Sequence, residues 1–165
     1  MKARFEYATE KDLPAIVATY NATVPSRMVT ADLEEVTVES RREWFMRHNK
    51  HARPLWVVYA GDDYAGWVSF TSFYGRPAYA GTAEVSIYLE EKFRGLGLGK
   101  QCLEKAIQAA PGVNVYTLLG FVFGHNIASV DLFTKCGFEK WGHLPRVANM
   151  DGVLRDLLIL GKKVN

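Results

Sequence analysis

The chain has 165 residues, 48% of them hydrophobic and 23% charged, the size and composition of a single domain spanning residues 1–165 with a sizeable core. A formal charge of +2 with scattered basic residues argues against nucleic acid, so any anion site must be local. Two cysteines, no apolar signal core in Met1-Lys2-Ala3-Arg4-Phe5-Glu6 and no run near the roughly 20 apolar residues of a membrane span lead us to expect a soluble cytoplasmic protein with no membrane partner.

Phe5-Glu6-Tyr7-Ala8 reads as a short strand. Thr9, with Asp12 three positions on, opens a helix whose apolar positions are Leu13, Ile16, Val17 and Tyr20. A polar stretch over 25–36 leads to a second helix over 38–48, with Trp44 and Phe45 on its apolar face. From Leu55 the pattern turns to β: Trp56 to Ala60, a Gly61-Asp62-Asp63 turn, then Tyr64 to Phe70 form a hairpin. After a loop containing Gly75, Arg76 and Pro77, Thr82 to Leu89 alternates as a central strand. A glycine loop follows, and then a helix over 101–110 that Pro111-Gly112 stops. Val115 to Phe123 is nearly continuous apolar chain, as for a strand buried on both faces. Asn126 caps a further helix ended by Gly137, and two closing strands are expected near 138–142 and 154–160.

The loop Arg94-Gly95-Leu96-Gly97-Leu98-Gly99-Lys100 joins a strand to a helix. Such a turn points backbone N–H groups and a helix dipole at one spot, which suits a pyrophosphate. Two familiar phosphate loops fail on spacing. A Walker A loop needs Gly at 94 and Ser or Thr at 101, where Arg94 and Gln101 stand; a dinucleotide fingerprint needs glycine where Lys100 stands. A glycine-rich loop can also be a plain tight connection. The spacing Arg-x-x-Gly-x-Gly, supplied by Arg94, Gly97 and Gly99, resembles that of the GNAT family of N-acetyltransferases. Asn126-Ile127-Ala128-Ser129 followed by Leu132 to Phe138 resembles a second family segment.

This resemblance implies an α/β fold of the α+β kind: a twisted, mixed but mostly antiparallel sheet of six to seven strands, flanked by about four helices. It implies acetyl-CoA as cosubstrate and no metal. Ile87, Tyr88 and Leu89 would pair with the pantetheine arm, residues 94–100 would hold the pyrophosphate, and Asn126 with Ser129 would touch the arm.

Acetyl transfer to an amine needs a neutral amine and a path for its proton. Glu84, a charged residue inside an otherwise apolar strand, is the candidate base; a salt-bridged or outward-facing glutamate is the plainer reading. A finer resemblance, covering 5–160, is to the phosphinothricin-type N-acetyltransferases. It rests on Leu13-Pro14-Ala15-Ile16 with Tyr20-Asn21, on Arg41-Arg42-x-Trp44-Phe45, on Phe73 to Tyr79 and on Arg155-Asp156-Leu157. It implies a small amino-acid-like amine such as phosphinothricin or methionine sulfoximine, a substrate loop carrying Tyr74 and Arg76, with Arg76 on the acidic end, and a homodimer.

Two positions depart from the pattern. Phe133 stands where many relatives carry a tyrosine that protonates the leaving thiolate, and Val85 where many subgroup members carry histidine. Cys102 and Cys136 read as packing residues, and His125 as a surface or capping residue. Acetylation of a peptide or protein amine, and a non-enzymatic CoA-binding module, are the alternatives.

Overall fold

A computed structural model describes residues 1–165. After strand β1 (Ala3–Tyr7), Thr9 and Asp12 close a capping box in which the Thr9 N–H donates to Asp12 Oδ2 at 2.8 Å. Helix α1 (Leu13–Asn21) follows, with Pro14 in its first turn, where a missing N–H costs nothing. β1 starts two residues earlier than expected, because Ala3 already pairs with Ala60. The helix expected over 38–48 is shorter: a 3-10 turn, Glu39–Arg41, runs into α2 (Arg42–Met46).

Strands β2 (Leu55–Ala60) and β3 (Asp63–Ser72) form the hairpin, and β4 (Thr82–Leu89) matches its expected bounds. Helix α3 (Leu98–Ala109) begins inside the glycine run and not at Gln101, with Gly97 as its N-cap. Then come β5 (Thr117–Phe123), α4 (Ile127–Lys135), β6 (Glu139–Met150) and β7 (Val153–Lys163). The closing strands are 12 and 11 residues long, well beyond the short pair expected. Asp151 and Gly152, at φ +57° and +87°, make the tight turn between them. Most of β6 is exposed, so its sequence lacks the apolar alternation that marks a half-buried strand.

The seven strands form one sheet, ordered β1-β2-β3-β4-β5-β7-β6, antiparallel except for β4 and β5. α3 and α4 cover one face over Val85, Leu103, Leu118, Phe133 and Phe138, while Ile16, Val57 and Trp67 pack on the other face beneath α1 and α2. Each fully buried leucine there, Leu103 and Leu118 among them, contributes roughly 1.5–3 kcal/mol of apolar burial. No helix is long and apolar enough to cross a membrane.

Candidate active site

β4 and β5 pair at three positions only, Thr82 with Thr117, Ala83 with Leu118 and Glu84 with Leu119. Beyond Glu84 they part: Val85 to Leu89 remain on β3, and Gly120 to Phe123 remain on β7. The β5-facing edge of Val85–Leu89 is thus left without a strand partner. Unpaired backbone polar groups need another partner, and the gap between the strands gives access to one.

A cavity of about 1060 Å³ opens at this gap, between β4, β5, the glycine loop and the start of α4. Ile87, Tyr88 and Leu89 line it, as do Arg94, Gly95, Gly97, Gly99 and Lys100, and so do Asn126 and Ser129. Leu96 and Leu98 do not: Leu96 is exposed, and Leu98 is buried with Phe93, Ala60 and Ala65, where it anchors the loop to the core. The glycines serve different ends. Gly95 and Gly97 have φ of +74° and +81°, and a Cβ on either would meet nothing within 4 Å, so conformation is what demands glycine there. A Cβ on Gly99 would lie 3.1 Å from Leu132 Cδ2, so its smallness brings α3 close to α4. The Arg94 guanidinium donates to Leu89 O at 3.3 Å, tying the loop to the end of β4.

Asn126 Oδ1 accepts from the Ser129 N–H at 3.2 Å, which makes Asn126 the helix cap, and its Nδ2 donates to Met28 O at 3.1 Å. That second bond belongs to a roof the sequence did not reveal. Residues 28–31 line the cavity, held by Asn126, by His125 Nε2–H donating to Arg27 O at 3.0 Å, and by an Arg27–Asp151 ion pair at 2.6 Å. His125 is half-buried and anchors this roof; it is not a surface residue. The Phe133 ring also lines the cavity, against Gly120 and edge-on to Phe138, with no hydroxyl to donate.

On the opposite face of β4 lies a cavity of about 220 Å³, walled by α1, α2, β3 and β4. Glu84, Ser86 and Tyr88 line both cavities, so the two spaces meet along β4. Glu84 makes no ion pair, and burial pushes its carboxyl above the usual carboxylate range. The same cause pushes the Tyr88 hydroxyl up; its ring stacks on Trp67 at 4.6 Å. Arg41, Tyr20, Trp44 and Ser69 also line this smaller cavity, from segments far apart in sequence. Arg76 and Tyr74 line neither cavity. Both lie on the exposed loop after β3, where Tyr74 packs on Phe73 and Tyr79. The expectation carried them over from a loop resemblance; Arg41 stood in a motif of the same resemblance without a role, and Ser69 was not marked at all.

The site thus combines a sheet split beside a glycine loop with a half-buried carboxylate where two cavities meet. The family model described as "Acetyltransferase (GNAT) family" matches residues 16–138, and the chain belongs to that family. It is 50% identical to "Putative phosphinothricin acetyltransferase YwnH" of Bacillus subtilis, over 96% of this chain and 97% of that protein. It is 29% identical to an L-methionine sulfoximine/L-methionine sulfone acetyltransferase of Pseudomonas paraeruginosa, over 97% and 94%. A crystal structure described as that of "a putative phosphinothricin N-acetyltransferase" superposes with a TM-score of 0.94 at 48% identity, covering 99% of both chains. The protein is therefore a GNAT-type N-acetyltransferase with acetyl-CoA as cosubstrate.

Proposed function

We propose that the protein, acting as one domain over residues 1–165, transfers the acetyl group of acetyl-CoA directly to the amino group of a small amino-acid-like substrate of the phosphinothricin or methionine sulfoximine type. The observation that carries this reading is the meeting of the two cavities at Glu84. Acetyl-CoA takes the larger one. The N–H groups at the start of α3, with Arg94 and Lys100, complement its pyrophosphate, and the free edge of Val85–Leu89 takes its pantetheine arm. Asn126 and Ser129 flank the arm.

The acceptor enters the smaller cavity, whose volume suits an amino acid and not a peptide chain. Its amine gives a proton to Glu84, directly or through a water, and the nitrogen lone pair attacks the thioester carbonyl carbon. The C–S bond then breaks, CoA leaves as thiolate, and the second proton of the attacking nitrogen passes to that thiolate or to water, which leaves the neutral amide and free CoA. A carboxylate raised by burial is a stronger base than an exposed one, which fits proton removal near neutral pH. An ordinary thiol has a pKa of roughly 8.5, so a thiolate departs without a strong acid, consistent with phenylalanine at 133.

A cytoplasmic homodimer completes the proposal. Trp141, Leu144, Val147, Val153 and Leu154 expose apolar surface along the β6–β7 hairpin, which supports a second copy there. A monomer in light scattering at working concentration would remove that element. The activity is tested by following free thiol with acetyl-CoA and a panel of amino-acid analogues, polyamines and peptides. Selective turnover of amino-acid analogues is expected; turnover of peptides alone contradicts the reading.

A further inference from the structure

The smaller cavity has 12 lining residues, and only two carry formal charges: Glu84 and Arg41. Arg41 ends the 3-10 turn before α2. Its guanidinium lies over the Tyr20 ring, 4.6 Å from the centroid, and 5.8 Å from that of Trp44. These faces fix the plane of the fork. Its one hydrogen bond runs from an Nη to Asp32 Oδ2 at 3.3 Å, and Asp32 also accepts from the Tyr20 hydroxyl. A guanidinium has five N–H donors, so most of this fork is open.

A second observation points to a polar ligand in the same space. Ser69 Oγ is buried, with the residue 1% exposed, and has no hydrogen-bond partner. It stands across from Ser86, two pairs along the ladder from Thr71 and Glu84 and so on the same face of the sheet. Buried hydroxyls are seldom left unpaired, so this one awaits a partner that enters the cavity. One cation, one carboxylate and an open hydroxyl between apolar walls complement a zwitterion whose amine lies at Glu84 and whose carboxylate lies at Arg41.

We propose that Arg41 binds the acceptor's carboxylate and so selects amino acids over plain amines. This rests on the reading of the protein as an amino-acid N-acetyltransferase. It moves the recognition of the acidic end from Arg76, which lines neither cavity, to Arg41. Asp32 holds the guanidinium through one Nη, and a carboxylate adds to the open donors.

The test is a ratio: kcat/KM for methionine sulfone over that for the primary amine lacking only its carboxylate. Comparing the ratio between variants cancels the difference in amine basicity. Wild type is expected to favour the acid, and Arg41→Met to lower the ratio by about 10–100-fold through KM, with Arg41→Lys between them. An unchanged ratio in Arg41→Met, an equal loss on both acceptors, or a collapse of the ratio in Arg76→Ala would overturn the assignment while leaving the substrate class standing. Should Arg41→Met not fold, Arg41→Lys decides by the same ratio, and a wild-type value there overturns the assignment. Equal turnover of acid and amine by wild type overturns both the assignment and the proposed substrate class.

Discussion

The two cavities that meet at Glu84 are made of different materials. The larger owes its polar character in good part to backbone, namely a free strand edge, a helix start and glycines at positive φ. The smaller is built from side chains on α1, β3, β4, α2 and the segment that leads into α2, with four aromatic rings among its walls. On the proposed function the first is a general handle for a nucleotide thioester, and the second a selective acceptor pocket. Substitutions on one side should therefore change different observables from those on the other.

The strongest way to break the acceptor side is Trp67→Ala. Trp67 is 3% exposed, stacks on Tyr88, meets Trp44 edge-on at 5.3 Å and donates from Nε1 to Ile16 O at 3.1 Å. Its loss should cost about 3–5 kcal/mol in denaturant unfolding and impair acceptor turnover. The fraction that remains folded should still bind acetyl-CoA by calorimetry. On the other side, Gly120→Ala sets a Cβ 2.4 Å from Phe133 Cε1, and overpacking should cost about 1–3 kcal/mol. Gly120→Ala combined with Phe133→Leu should recover much of that loss.

Gly97→Ala strains an N-cap at φ +81° by roughly 1–2 kcal/mol, and should raise the Kd for acetyl-CoA while leaving acceptor selectivity alone. Gly99→Ala, with ordinary φ and only the flexible end of Leu132 nearby, should affect Kd less. The smallest effect is expected at the roof. Asp151→Ala removes one surface ion pair with Arg27, for about 0–1 kcal/mol, and its trace should appear in the KM for acetyl-CoA.

The contrast also explains what could be read from sequence. Gly95 and Gly97 are demanded by local conformation, so the loop was visible as a motif, as was a lone carboxylate in the apolar strand at Glu84. The fold was legible through the family resemblance that those motifs carry, and the seven-stranded sheet and the family match agree with it. Arg41 and Ser69 gain their place only when α1 and α2 pack across β3 and β4, and no spacing within one segment encodes that meeting. Arg76 and Tyr74 were carried by the resemblance of a loop, and in the structure that loop is exposed and lines neither cavity. A strand was expected near 138–142, but the length of β6 was underestimated because an exposed edge strand has no apolar alternation, although Asp151-Gly152 carried the hairpin signal.

The central claim is that Glu84, raised by burial at the junction, takes the amine proton. The direct test is the pH dependence of kcat/KM for wild type and Glu84→Gln on one acceptor. Only the ionised carboxylate accepts a proton, so wild-type activity should rise with pH through a pKa above the ordinary carboxylate range. Glu84→Gln should lose that limb and fall by about 10²–10⁴-fold. A folded Glu84→Gln enzyme with the wild-type rate and the same acidic limb would contradict the account.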